Sequence, residues 1–481
     1  MPTVNNFFNV PDSLVIRHYN EGDTLPPYRT EFMRDRDRLM YATAFRRLSG
    51  KTQIYTVGRD DHRKNRLTHT LEVSQIARTI AIALGFNPDL AEAIALGHDF
   101  GHTPFGHAGE RMLHDILIPN SSYVKKSPFY QKSIDEIQDR FERENKDEMG
   151  SLEYVFGFKH NIQSVRVSAL LEDSYRNKNK ENIGLNLTNF TLYGMMIHSA
   201  EKYNDGDEYP NFQNFFSEKM RVKGDNGFAW SFEAYIVKWA DDIAQWHHDL
   251  EDAMREGVLP LKKICATIRE SLDAALGEGD KSKLTDIEKV TKMDRKCIAE
   301  LSHIVVNTLV NDLVDTSTKN FSDLKGQLDK KGITDPEELY KHYDELGLEI
   351  QRDQVIGISK RINKDIFKDT IKASIHHSRN VERMNEKGKY IIRKLFEAYY
   401  AHPQQLPDGP ILHLLVDLKS PKYKNIDDAR EAGIGEARVE FDRIIKNPSI
   451  YVECMLMRRI CDHIASMTDH YAIEEYNNLY G

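Results

Sequence analysis

Apolar residues recur along this chain with the period of a helix, and that recurrence restricts its fold more than any other feature. The stretch RLTHTLEVSQIARTIAIALG sets Leu67, Leu71, Ile76, Ile80 and Leu84 on one face and stops at Gly85, a natural C-cap. After a short F-N-P turn, DLAEAIALGHDFGH reads as a second helix that starts at Pro88 or Asp89 and runs into a glycine-containing turn. SFEAYIVKWADDIAQWHHDLEDAM and YVECMLMRRICDHIASMTDHYAIEEYNNLYG repeat the long amphipathic pattern, while strand-like alternation is scarce. The expected fold is all-α.

With 481 residues the chain is long enough for one large helical body or two closely packed domains. We divide it into residues 1–255, carrying the motifs described below, and 256–481, a helical region expected to complete the pocket and make oligomer contacts. Two charged stretches look like additions to the core: Leu113 to Gly157, and Asp315 to Lys372 with Gly326, Gly332 and Gly347 interrupting it. No apolar run approaches the roughly 20 residues of a membrane span, and MPTVNNFFNVPDSLV lacks the layout of a signal peptide, so the expected compartment is the cytoplasm. Cys265, Cys297, Cys454 and Cys461 form no C-x-x-C pair and are expected to be buried reduced thiols. A formal charge of −9 argues against coating nucleic acid by bulk electrostatics, yet it permits a local basic pocket for a phosphorylated ligand.

The chemistry concentrates in HDFGHTPFGHAGE, where His98, Asp99, His102, His107 and Glu110 crowd among glycines. Gly and Pro104 break the helix into a tight turn, which lets the backbone approach a ligand while imidazoles and a carboxylate share one cavity. His107 and Glu110 are three apart, close enough on one helical turn for the carboxylate to hold and polarise the ring, which suits acid–base work near neutral pH. A divalent ion needs three to five hard or borderline ligands from different elements. His69, the pair His98-Asp99 and the acidic helix with Asp241 and Asp242 offer such a set.

Seven blocks in order, RDRDRLMYATAFRRLSGKTQIY, NRLTHTLEVSQIAR, HDFGHTPFGHAGE, FKHNIQSVR, LNLT, ADDIAQWHHDLEDA and ASMTDHYAIEEY, resemble the motifs of the dGTPase-like triphosphohydrolases of the HD superfamily, from about Tyr28 to Tyr476. The resemblance implies a metal centre of His69, His98, Asp99 and Asp241. Asp241 is preferred to Asp242 because the family has a tyrosine four residues after its ligand and an aspartate eight after it; here these are Gln245 and Asp249. Gln245 departs from the family tyrosine, which bears on sugar and base preference. The resemblance further gives His102, His107 and Glu110 phosphate-contacting and catalytic roles. It places Gln53, Arg66, His160, Asp249 and, less firmly, Asn186 and Tyr471 at the nucleotide.

The implied reaction converts a deoxynucleoside triphosphate, dGTP foremost, to deoxynucleoside and inorganic triphosphate. The implied cofactor is manganese or magnesium, with iron, cobalt, nickel and zinc also compatible. The family forms homo-oligomers, often hexamers, and leaves room for regulation by single-stranded DNA. Two other readings stay open: another HD phosphohydrolase acting on a nucleoside monophosphate or cyclic nucleotide, and a non-catalytic sensor of nucleotides or single-stranded DNA. His247 and His248 are expected to point to different sides of their helix in structural roles. The run RDRDR reads as an intrahelical charge lattice in preference to a nucleic-acid patch.

Overall fold

The computed structural model describes residues 6–22, 25–53, 64–117, 157–179, 181–200, 217–222, 227–290, 294–418 and 422–481. Among these the fold is all-α, with three isolated β-bridges and no strand. The helices that bear on function are α1 (Glu31–Tyr41), α2 (Arg66–Leu84), α3 (Pro88–Gly97), α4 (His107–Leu117), α5 (His160–Arg166), α6 (Asn189–Ala200), α7 (Phe232–Arg255), α8 (Arg295–Lys331), α9 (Arg379–Ala401), α10 (Ile450–Ser466) and α11 (Asp469–Tyr480). Side chains cap many of the starts: Thr30, Ser231, Asp294, Ser449 and Thr468 each accept a hydrogen bond from a backbone N–H of the first turn.

The chain forms two compact units, each assembled from three segments. Unit one comprises Met1–Ile16, His69–Ala95 and Val222–Arg383; unit two comprises Arg17–Thr68, Leu96–Arg221 and Met384–Gly481. Position 255, where the sequence reading divides the chain, lies inside the longest segment of unit one.

Unit one is built around aromatic side chains. Phe8, Phe86, Phe232 and Phe321 pack with ring centroids 5.0–6.1 Å apart, and Trp230 stacks on Tyr340 at 4.8 Å while its Nε1–H donates to the Tyr340 carbonyl. Phe321 and Tyr340 come from the stretch expected to be an addition at Asp315–Lys372, which is thus part of the core. Gly326 does not break α8, which ends instead at Gly332 in the left-handed region. Among the described residues α8 alone is long and apolar enough to cross a membrane, and 56% of its most apolar window is buried inside the chain, as in a core helix.

The inner face of α2 differs in part from the expected one. Val73, Ile76, Ala77, Ile80, Ala81 and Leu84 are buried at i, i+3, i+4 spacing, whereas Leu71 is 47% exposed. The helix stops at Gly85 as expected, with φ +79° and Phe86 N–H donating to the Ala81 carbonyl.

Unit two gathers α4, α9, α10 and α11 around a core that includes Leu113, Ile116, Leu117, Phe158, Phe396, Tyr399 and Ile460. Leu113–Leu117 therefore belong to a buried helix end, and residues 118–156 of the expected insertion lie outside the described residues. A buried ion-pair knot joins α5 to α10. The Arg166 guanidinium forks onto Asp462 (2.7 and 2.9 Å), and Gln163 bonds both Asp462 and Arg458.

The run RDRDR is an intrahelical lattice only in part: Arg36 pairs with Asp37 (3.1 Å), while the other three residues find partners outside the helix. Arg34 and Arg38 pair with Glu21, Asp35 pairs with Arg17 (2.6 Å) and accepts from Thr188, and all three α1 residues are buried. None of the four cysteines forms a disulfide, and all are buried.

Candidate active site

In unit two, α3 ends at Gly97, and the turn that follows is shaped by two residues with positive φ, Phe105 (+62°) and Gly106 (+57°). Three side chains hold it. Gly101 N–H donates to Ser164 Oγ (2.8 Å), and Ser164 Oγ–H donates to the His98 carbonyl (2.7 Å). Lys51 Nζ donates to the carbonyls of His102 and Ala465. Asp469, at the start of α11, accepts from Phe105 N–H (2.9 Å) and from Thr52 N–H and Oγ–H. The C-terminal MTDHYA block thus ties the turn to the segment before α2. Burial pushes the Lys51 ammonium down to about 7, against an ordinary 10.5.

Two buried carboxylates organise the chemistry. Asp99 Oδ2 takes the Arg66 guanidinium at 2.9 Å, and its Oδ1 lies 3.4 Å from His98 Nε2 and 3.2 Å from His102 Nε2. Burial opposes ionisation of Asp99, yet His98, His102 and Arg66 hold its carboxyl well below the usual range. Glu110 is surrounded in the same way: Oε2 lies 3.0 Å from His107 Nδ1 and 2.8 Å from His160 Nδ1, and Oε1 lies 2.7 Å from Lys159 Nζ. Here too burial is outweighed, chiefly by His160 and His107, and Glu110 is held well below the ordinary carboxylate range.

The rings of His102 and His160 stack at 3.8 Å. Burial lowers both imidazoles, that of His102 strongly, with Arg66 adding to the effect there, so both are neutral near pH 7. His107 differs in being open to solvent, its side chain 56% exposed. Arg66 is buried, and its Nε has no hydrogen-bond partner among the described residues.

Gln53 is half-buried at the edge of the described segment. The Asn186 side chain is committed to the N-terminal segment, donating to the Tyr19 carbonyl (2.8 Å) and Glu21 (2.6 Å) and accepting from Tyr19 N–H. Tyr471 lines a cavity of about 520 Å³ together with Arg47, His413 and Arg459.

In unit one, His69 on α2 places Nε2 2.9 Å from Asp241 Oδ1 on α7. Gln245 Nε2 donates to Asp249 Oδ1 at 2.8 Å, so the Asp241–Gln245–Asp249 row follows the four-residue step of the helix. His247 and His248, expected on different sides of α7, instead bring both Nε2 atoms to one oxygen of Glu72. Adjacent positions are separated by about 100° around a helix, a divergence that two long rings can close onto a carboxylate between them.

The sequence reading missed Glu72, Lys51, Lys159 and Asp469. For Glu72 the available signal was its place one turn after His69; for Asp469, its place in a block already matched. The donors suit a divalent ion. An imidazole beside a carboxylate in unit one, and imidazoles around an ionised carboxylate in unit two, are the borderline and hard ligands that zinc, manganese and iron accept.

Comparison with known proteins agrees with this chemistry. Residues 66–185 match the HD domain family, and residues 358–411 and 451–478 match the phosphohydrolase-associated domain. The chain is 31% identical to a deoxyguanosinetriphosphate triphosphohydrolase-like protein of Bartonella quintana (strain Toulouse), over 95% of this chain and 91% of that protein. It is 30% identical to one of Azoarcus sp. (strain BH72), over 95% and 92%, and 31% identical to one of Rickettsia rickettsii (strain Iowa), over 96% and 94%.

Proposed function

This chain belongs to the deoxyguanosinetriphosphate triphosphohydrolase-like family of HD-domain proteins, and from that premise we propose that it hydrolyses deoxynucleoside triphosphates, dGTP foremost, to deoxynucleoside and inorganic triphosphate. The observation that carries the proposal is the pair of ionised, buried carboxylates Asp99 and Glu110, each surrounded by imidazoles and one cation, with His107 alone among those rings open to a substrate.

In this reading His69, His98, Asp99 and Asp241 hold one divalent ion, manganese or magnesium foremost. When bound, the ion supplies Lewis-acid polarisation of an α-phosphate oxygen and of the attacking water. Arg66 anchors Asp99 and presents the rest of its guanidinium to phosphate oxygens. His102, neutral and stacked on His160, steadies Asp99 without adding charge beside Arg66. Glu110 orients the His107 ring through Nδ1, and in this reading His107 delivers a proton from Nε2 to the departing 5′-oxygen. His160 and Lys159 fix the orientation of Glu110. Gln53 and Asp249 face the nucleoside in the same reading, and the short, well-bonded contacts of Asn186 favour a structural role for it. Assembly into a homo-oligomer of the hexameric kind, a cytoplasmic location and control by single-stranded DNA are further parts of the family reading.

The test is to incubate the protein with each of the four deoxynucleoside triphosphates plus manganese or magnesium and to resolve the products. Deoxynucleoside with inorganic triphosphate is expected; orthophosphate, pyrophosphate or a linear nucleotide would favour another HD phosphohydrolase, and no product under any metal would favour a sensor. Asp241→Ala should abolish turnover and metal retention while Asp242→Ala keeps both, and the reverse pattern would overturn the ligand assignment.

A further inference from the structure

Behind His69 in unit one lies a chain of contacts that the reaction as proposed leaves unused. His69 Nε2 faces Asp241 at 2.9 Å, and the other ring nitrogen, Nδ1, lies 3.4 Å from Nδ1 of His248. His248 is buried, and its Nε2 bonds Glu72 Oε2. Glu72 is one turn along α2 from His69, and His248 is seven residues, two turns, along α7 from Asp241. The same two helices thus carry both ends of the chain.

Protons can be counted along it. A neutral imidazole carries one N–H, and a ring that gives its Nε2 lone pair to a metal keeps its proton on Nδ1. His69 Nδ1–H then donates to His248 Nδ1, which must be the unprotonated nitrogen of that ring. His248 Nε2–H in turn donates to the Glu72 carboxylate. Every contact has one donor and one acceptor, with both rings neutral.

Glu72, His247 and His248 could themselves be taken for a two-histidine, one-carboxylate metal set, since their ligand atoms lie within 4.8 Å of one another. A metal on His248 Nε2 would force the proton onto its Nδ1. His69 Nδ1 would have to accept that proton's hydrogen bond, and the His69 proton would move to Nε2, where it faces Asp241. The two uses of His248 exclude each other, and the one compatible with His69 as a ligand is the relay.

We propose that Glu72 and His248 are positioning residues that fix the tautomer and orientation of His69, so that its Nε2 is the metal-binding nitrogen. The inference rests on the reading of His69 and Asp241 as ligands. Hydrogen-bonded partners of this kind hold ligating imidazoles in place and raise their basicity, and their loss commonly costs about 10- to 100-fold in metal affinity. His247 shares the Glu72 oxygen at 2.9 Å but makes no link to His69, so its role is to hold Glu72.

The experiment measures Mn²⁺ affinity and stoichiometry by electron paramagnetic resonance on the full chain, with thermal melting recorded alongside. His248→Phe, which keeps the ring and removes the relay, should weaken Mn²⁺ binding about 10- to 100-fold. Glu72→Gln, which keeps an acceptor for His248 but loses its charge, should weaken it less than Glu72→Ala does. His247→Asn should change it less than about threefold. If His69→Ala abolishes binding but His248→Phe leaves affinity unchanged, the relay is wrong and the metal centre stands. If His69→Ala retains the ion, the reading of the centre itself has failed. A second ion per chain, lost in both His247→Asn and His248→Phe, would overturn the relay in favour of a separate metal site. A drop in melting temperature without a change in Mn²⁺ affinity would reduce Glu72 and His248 to packing and overturn it as well.

Discussion

Gly101 sits where the turn after α3 meets α5, with no room for a side chain. A Cβ at this position would lie 2.1 Å from the His160 carbonyl oxygen, 2.4 Å from Ser164 N and 2.7 Å from the Gln163 carbonyl carbon. All three are backbone atoms, so relief cannot come from a rotamer change. For Gly101→Ala the N-terminal turn of α5 would have to withdraw by about 1 Å, and His160 would be drawn away from Glu110 (2.8 Å) and from its stack on His102 (3.8 Å). Strain of this kind costs about 1–3 kcal/mol, and weakening the buried Gly101 N–H to Ser164 Oγ bond adds about 1 kcal/mol. A displacement of about 1 Å at catalytic groups can cost on the order of 10²-fold in rate. The assay pairs thermal melting with the initial rate of triphosphate release, and uses Gly326→Ala as the contrast. Gly326 lies inside α8 with open space where its Cβ would be, so alanine there should leave the rate alone and stabilise by about 0.4–1 kcal/mol. If Gly101→Ala melts and turns over like the wild type, the close approach of turn and helix is wrong, and with it the basis for placing His160 beside Glu110.

Asp462→Ala should destabilise by about 3–5 kcal/mol in chemical denaturation, because it leaves Arg166 and Arg458 buried without their shared carboxylate; a loss under 1 kcal/mol would show the knot to be dispensable. Glu233 gives a pH dependence with a definite sign. Burial pushes its carboxyl up to about 7 from an ordinary 4.5, so between these values the folded chain holds a proton that the unfolded chain has lost. Its contribution is therefore fully present below about 4.5 and is lost as pH rises through 7. Glu233→Gln should gain about 2–3 kcal/mol relative to wild type between pH 5 and pH 7.5, and a constant difference across that range would refute the assignment.

The sequence made the HDFGHTPFGHAGE cluster visible because its imidazoles and carboxylates lie close together in one block and need only a local turn to converge. The pairing of His107 with Glu110 was legible for the same reason, being a three-residue step on one helix. Glu72 was not: its place one turn after His69 marks only nearness to that residue, and its partners His247 and His248 are 175 and 176 residues away. RDRDR shows the opposite failure. Its alternating charges satisfy a helical rule, yet Glu21, Arg17 and Thr188 offered Arg34, Asp35 and Arg38 partners that let those three side chains be buried, leaving Arg36 and Asp37 paired within the helix. Leu71 fits a leucine-weighted period yet lies exposed, because alanines carry little weight in such a count and Ala77 and Ala81 are part of the buried face.

The most direct test of the proposed reaction is to run the hydrolysis in H₂¹⁸O and locate the label by mass spectrometry. Attack of water on the α-phosphorus predicts one ¹⁸O in intact inorganic triphosphate and none in the deoxynucleoside. Label in the 5′-hydroxyl, or in orthophosphate or pyrophosphate formed in place of triphosphate, would contradict it.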